Sequence, residues 1–219
     1  MLKPALPPEV FPRRADLYAI GVTGNIATGK STVDAMLAAK GAIVVDADAV
    51  VRDLERAGQP VLRQIVDRFG PHTLDARGEL DRAGLARMVF GSPEALRDLE
   101  LIVHPAVRAE VKRRIIEAPP RSVLAIDAVK LIESGMADAC DTIWAVTAGE
   151  DQQIKRLAEQ RSMSGQDALQ RLRAQPDPED KVRRADVVID NSASLEALRR
   201  QVDDAWDRTA GAWLSGLRA

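Results

Sequence analysis

The chain has a single cysteine, Cys140, in 219 residues. That excludes an internal disulfide framework and fits a reducing compartment, so a cytoplasmic location is expected. A surplus of one charge is also missing. Lysine and arginine total 31 against 33 acidic residues, a net charge of −2, which gives no whole-molecule attraction to nucleic acid or to a membrane. Basic residues must therefore act locally, and neither nucleic acid nor membrane is expected as a partner. No apolar run approaches the roughly 20 residues of a membrane-spanning helix, and no signal-peptide pattern is present. Internal repeats and low-complexity tracts are absent too. What is present, 46% hydrophobic and 29% charged residues, is the composition of a globular protein, long enough to bury one good core with a smaller appendage.

The most informative stretch is Leu17 to Ser31. Leu17 to Val22 is a short apolar run bounded by glycine, as expected of a strand buried on both faces. Gly24-Asn25-Ile26-Ala27-Thr28-Gly29-Lys30-Ser31 then fits G-x-x-x-x-G-K-S/T without a gap, and a helix-compatible segment runs from Ser31 to about Lys40. In such a loop Gly24 and Gly29 permit backbone conformations that let successive N–H groups point into one concavity. The following helix adds its positive end. Lys30 reaches the β- and γ-phosphates, and the Ser31 hydroxyl ligates Mg²⁺. An eight-residue match can arise by chance, but here the required strand precedes it and the required helix follows. The pattern points to a nucleoside-triphosphate site.

Met1 to Asp16, with four prolines, reads as a loosely held leader. A second buried strand is expected at Ala42 to Val45, closing on Asp46-Ala47-Asp48. Strand carboxyl ends face the ligand crevice of an open parallel sheet. Asp46 or Asp48 can then lie near the γ-phosphate; alternatively, Asp48 only caps the next helix. Ala49 to Ala118 is helical in pattern, with runs at Asp81 to Phe90 and Pro93 to Ile102. His104-Pro105 is expected to open a further helix, with proline at its favoured first position. On that helix Val107, Val111 and Ile115 face inward. His104, Arg108 and Lys112 share another face, as a solvated stripe or as a clamp for an anionic substrate. Asp75-Ala76-Arg77-Gly78 fits D-x-x-G, but no apolar strand leads into it, so it reads as a turn. Further strands are expected at Arg121 to Asp127, Asp141 to Val146 and Val187 to Asp190, and a last helix at Ser194 to Arg208. Between Glu150 and Lys181 lies a charged segment with Lys155, Arg156, Arg161, Arg171, Arg173 and Lys181, broken at Gly165 and Pro176-Asp177-Pro178. It reads as a two-helix flap of the kind that excludes water during phosphoryl transfer, or as solvent-exposed helix.

Strands separated by helices give an α/β fold with a parallel sheet in three layers. The expected organisation is a leader, residues 1–16, then one P-loop kinase domain, residues 17–219. Its core is 17–48, 119–149 and 185–210; a helical substrate-binding insertion spans 49–118 and a lid 150–184. A regulatory GTPase is disfavoured, because no N-K-x-D motif follows.

Taken together, these residues resemble the dephospho-CoA kinases, which carry out the last step of coenzyme A synthesis. The resemblance covers Tyr18 to about Asp207. It rests on G-V-T-G-N-I-A-T-G-K-S-T-V at Gly21 to Val33, V-D-A-D at Val45 to Asp48, H-P-A-V-R at His104 to Arg108, R-L-R-A-Q at Arg171 to Gln175, and K-V-R-R-A-D-V-V-I-D-N at Lys181 to Asn191. It implies a fold similar to nucleoside monophosphate kinases and an ATP- and Mg²⁺-dependent phosphorylation of the ribose 3′-hydroxyl of dephospho-CoA, giving CoA and ADP. It further implies that Asp48, Lys30 and Arg156 are catalytic, with Asp48 beside the acceptor hydroxyl and Arg156 a lid arginine. ATP would be held by Asn25, Ile26, Ala27, Thr28, Gly29, Lys30, Ser31, Thr32 and Asn191. Dephospho-CoA would be held by His104, Arg108, Arg171 and Gln175. The chain departs from the family pattern at Asn25, usually glycine, at Ala27-Thr28, usually Gly-Ser, and at Lys130, usually leucine. Lys130 lies just past a strand's carboxyl end; it is a candidate for the acceptor pyrophosphate, or else points to solvent or pairs with Glu133. Two other readings stay open: a kinase for another small hydroxyl compound, and an ATP-binding regulator that has lost turnover through Asn25. Oligomeric state is not legible.

Overall fold

The computed structural model describes residues 11–161, 164–175 and 177–217. Residues 1–10 of the leader, and Pro176 of the Pro176-Asp177-Pro178 break, lie outside the described residues. The chain divides into two compact units: one runs to Val45 and resumes at Glu117, the other is Asp46–Ile116.

The first unit is built on a five-stranded parallel sheet in the order β2-β3-β1-β4-β5, with β1 Leu17–Thr23, β2 Ile43–Asp46, β3 Ser122–Asp127, β4 Thr142–Thr147 and β5 Val187–Asp190. β1 is central because it is the most apolar strand, buried along nearly its whole length. Its register sets Val22 opposite Asp127 on β3 and Trp144 on β4, so three carboxyl ends finish side by side. Alternation along β1 sends Ile20 and Val22 into a core with Val33, Leu37, Trp144, Val146, Ile189, Leu198 and Val202. The helices supplying these residues are α1 Lys30–Ala39 and α9 Leu195–Arg208. On the opposite side Cys140 is buried, and burial pushes its thiol up to about 12. At neutral pH the thiol therefore stays protonated, which leaves it inert as a nucleophile.

The second unit is helical: α2 Ala47–Leu54, α3 Pro60–Phe69, α4 Arg82–Phe90 and α5 Pro93–Glu117. The Asp75–Gly78 tetrapeptide is a turn, with Asp75 Oδ1 accepting the N–H groups of Arg77 and Glu79 at 2.8 and 3.0 Å. One expectation is corrected here. Pro105 does not start a helix but lies inside α5, which runs unbroken for 25 residues. A proline there removes the N–H that would bond the carbonyl of Leu101. Leu101 is 67% exposed, so water can serve that carbonyl. Val103, Val107, Val111 and Ile115 form a continuous buried stripe on both sides of the proline, and that burial holds the helix together. Near its end, hydrogen bonds from Arg113 foremost, with Arg114, hold the Glu110 carboxyl down to about 2.

The charged segment after β4 also differs from expectation. It forms three helices rather than two: α6 Glu150–Arg161, α7 Gly165–Arg173 and a short α8 Pro178–Val182, begun by an Asp177 cap and a proline. α9 is not the last helix either. Thr209 breaks the geometry, and α10 Ala210–Gly216 follows, placing Trp213 5.7 Å from the ring of Tyr18.

Candidate active site

The loop joining β1 to α1 has the geometry of a phosphate cradle. Gly24 has φ 154°, and a Cβ there would overlap the carbonyl oxygen of Val146. Gly29, at φ 96°, is the N-cap of α1 and offers no side chain to its first-turn N–H groups. Nor does that turn contain an acidic residue, so the positive helix end is left for an anion. The loop's carbonyls are turned outward and occupied. Asn25 O accepts from Thr28 Oγ1 at 3.0 Å, and Thr28 O from Asn191 Nδ2 at 2.8 Å. Arg156 Nη1 donates to Ala27 O and Thr28 O at 3.1 and 3.0 Å. With the carbonyls of Asn25, Ala27 and Thr28 engaged, the N–H groups of Ala27 to Ser31 are left for an anion.

These contacts place Asn191 at the loop, and they alter the reading of Arg156. Its Nη2 also donates to Asn191 O at 2.9 Å. A guanidinium spent on three carbonyls braces the phosphate loop; it is not held out toward a transferring group. Gln175 differs as well. The resemblance assigns it to the acceptor, whereas its Oε1 accepts the N–H of Ile26 at 3.0 Å, on the phosphate loop itself. Arg171, in the last turn of α7, is exposed.

Lys30 is mostly buried, and its Nζ lies 4.0 Å from Asp127 Oδ1 at the carboxyl end of β3. Asp127 is a candidate that the site assignments from sequence left out. The signal was there: an apolar strand, Val-Leu-Ala-Ile, ending in an acid. Ser31 is exposed and its hydroxyl makes no hydrogen bond among the described residues. A serine hydroxyl and an aspartate are a hard oxygen set that suits Mg²⁺, which takes one or two carboxylates and completes its shell with water and phosphate. No group of three His, Cys, Asp or Glu forms a metal cluster among the described residues, and this kind of site needs none. Thr32 follows on α1, half-buried, and Lys130 is exposed three residues after Asp127. Glu133 receives Lys181 at 3.3 Å.

In the helical unit, hydrogen bonding decides which aspartate caps α2. Asp46, not Asp48, caps α2: its Oδ1 accepts the N–H of Ala49 at 3.0 Å, and Oδ2 pairs with Arg52 at 3.2 Å. Asp48 sits in the first turn of α2, exposed, with no hydrogen bond or ion pair among the described residues. Its carboxylate is not committed to structure. On α5, His104 is exposed and Arg108 half-buried, one turn apart.

Comparison with known proteins agrees with this geometry. The family model described as dephospho-CoA kinase matches residues 18–197. The chain belongs to the dephospho-CoA kinase family. It is 44% identical to a dephospho-CoA kinase of Symbiobacterium thermophilum over 194 residues, 88% of this chain and 81% of that one. With a dephospho-CoA kinase of Carboxydothermus hydrogenoformans it shares 42% over 188 residues, 85% of this chain and 91% of the relative. A crystal structure from Thermus thermophilus superposes with a TM-score of 0.74 at 32% identity, over 87% of this chain and 97% of the other. The kinase family uses ATP, which the cradle around Gly24 to Ser31 suits. No described helix is long and apolar enough to cross a membrane.

Proposed function

We propose that this protein transfers the γ-phosphoryl group of ATP to the ribose 3′-hydroxyl of dephospho-CoA, giving CoA and ADP, and that it does so in the cytoplasm. The observation that carries the reading is the phosphate cradle, with its carbonyls braced outward, its helix end uncapped, and Lys30 facing Asp127. Family membership narrows the acceptor.

Phosphoryl transfer leaves a protein little covalent chemistry; positioning and neutralisation of charge dominate. The N–H groups of Ala27 to Ser31 bind the phosphates, and Lys30 neutralises charge at the β- and γ-positions. Ser31 and Asp127 are the residues that would hold Mg²⁺, which would supply positive charge to offset that of the phosphates. Asp48 orients the acceptor hydroxyl and takes its proton late in the transfer; its lack of structural partners supports that role. His104, Arg108 and Arg171 are proposed for acceptor binding, with Lys130 as a point charge for its pyrophosphate. Arg156, Asn191 and Gln175 are proposed to shape the ATP side, Arg156 as a brace and Gln175 as a contact that closes on the loop.

A steady-state screen of acceptors with ATP tests the reading: dephospho-CoA, nucleoside monophosphates, and sugar acids, each with wild type and Lys30→Ala. Turnover with dephospho-CoA that is lost in the folded variant supports it. Turnover confined to another acceptor replaces the substrate, and no turnover with any acceptor favours an ATP-binding regulator.

A further inference from the structure

One buried cation has no part in the scheme above. Lys181, on α8, is only 3% exposed, and a lysine is buried so deeply only when its ammonium is paired. Its Nζ donates to the carbonyl of Val129 at 2.7 Å and to Glu133 Oε1 at 3.3 Å. The Glu133 side chain is 44% exposed, so water screens that half of the arrangement. The Val129 carbonyl is the better-defined partner. It also accepts from Thr23 Oγ1 at 3.3 Å, and Thr23 is the last residue of β1, next to Gly24 of the phosphate loop. One residue earlier, the N–H of Ala128 donates to Val22 O at 3.1 Å. The chain leaving β3 is thus pinned at two successive residues, immediately after Asp127. One set of pins comes from the strand that enters the phosphate loop. The other comes from the helix that follows Gln175, whose side chain accepts the Ile26 N–H.

We propose that Lys181 is a positioning residue for phosphoryl transfer. By holding the Val129 carbonyl it fixes the exit of β3, and so sets Asp127 against Lys30 4.0 Å away. It does not touch either substrate. It couples α8 to the placement of the one ammonium that meets the transferring phosphates. A buried charge is an expensive way to fill space, since an apolar side chain of similar volume packs at least as well. An ammonium directed at a backbone carbonyl beside the site is explained if the carbonyl's position matters.

The proposal rests on the kinase reading, so wild-type turnover with dephospho-CoA is measured first; its absence sinks that reading alone. Lys181→Met keeps the stem volume and removes the charge. We expect kcat to fall by about 10- to 100-fold, the scale of a small misplacement of a catalytic group, with KM for dephospho-CoA little changed. The deciding measurement is a cycle with Asp127→Asn. If Lys181 acts through Asp127, adding Lys181→Met to Asp127→Asn changes kcat by less than about twofold. The same cycle is read without metal or turnover as the Kd for ATP in EDTA: a misplaced Lys30 weakens it in the wild-type background, and Lys181→Met adds little on Asp127→Asn. If Lys181→Met does not fold, Thr23→Val removes the other donor to the same oxygen and takes its place in both cycles. Wild-type kcat in a folded Lys181→Met, or equal losses in the wild-type and Asp127→Asn backgrounds, overturns the proposal and leaves Lys181 a purely structural residue.

Discussion

Replacing Gly29 by alanine tests the architecture of the phosphate loop at its tightest point. Gly29 has φ 96°, in the left-handed region, where a Cβ costs about 1–2 kcal/mol. The added methyl would overlap Asn191 Nδ2, with Asn191 Cγ next at 3.3 Å and Arg156 Nη1 at 3.5 Å. Backbone cannot move there without dragging α1, so the Asn191 side chain must swing away and give up its 2.8 Å bond to Thr28 O. Asn191 is 7% exposed; Thr28 O keeps Arg156 Nη1 at 3.0 Å, but leaving the buried Asn191 amide unpaired costs about 1–3 kcal/mol. Together the two effects come to about 2–5 kcal/mol. For a chain of this length that lowers Tm by roughly 4–20 °C, and ATP affinity should fall with it. Thermal unfolding by circular dichroism and an ATP titration read both. Asn191→Ala supplies the control. It loses the same bond by itself, so the double variant should be less destabilised than the sum of the singles by about 1–3 kcal/mol. A wild-type Tm for Gly29→Ala, or strict additivity in the double variant, refutes the reasoning.

Asp48→Asn should lower kcat by about 10²- to 10⁴-fold with Tm and ATP affinity unchanged, whereas Asp46→Ala should cost about 0.5–2 kcal/mol of stability through the lost cap; matching kinetics and unfolding curves for the two variants would show that the roles are misassigned. Lys130→Leu should raise KM for dephospho-CoA by about tenfold, the worth of a charge-assisted bond, and leave KM for ATP alone; equal acceptor KM values would return Lys130 to solvent. Ala27→Gly should leave stability equal or raise it by up to about 1.5 kcal/mol, because relief of about 1–2 kcal/mol at φ 59° is offset by about 0.5–1 kcal/mol of glycine's unfolded-state freedom; a clear loss in a denaturant titration would mean the methyl makes a contact that outweighs its strain.

The strands and the phosphate loop were legible in the sequence because their causes are local. Burial on both faces writes a continuous apolar run, and a phosphate cradle needs its glycines and lysine within eight residues. The contacts that turn the loop into a site are not local. Arg156 reaches Thr28 across 128 residues, Gln175 reaches Ile26 across 149, and Lys181 reaches Val129 across 52. Spacing along the chain says nothing about such pairs, so Arg156 was assigned to the transferring group and Gln175 to the acceptor. Asp46 and Asp48 pose a different problem. Both satisfy the local rule for a cap, and the choice depends on where β2 stops. Pro105 shows the local rule losing outright: a proline at a favoured first position is also tolerated inside a helix when a long buried stripe flanks it and the freed carbonyl can face water.

The two departures in the phosphate loop acquire a physical meaning once its backbone is known. Asn25 stands where the family resemblance leads one to expect glycine, yet it does not adopt a positive φ, and its carbonyl takes the Thr28 hydroxyl. That position asks for a backbone any residue can supply, and a buried side chain is accommodated there. Ala27 is the residue that does bend into the left-handed region, at a cost an alanine can carry. The positions that tolerate no Cβ are Gly24, against the carbonyl of Val146, and Gly29, against the Asn191 amide, and both are glycine. The reading of this chain as a regulator silenced by Asn25 therefore loses its structural basis. The loop keeps glycine at the two positions where a Cβ would overlap its neighbours.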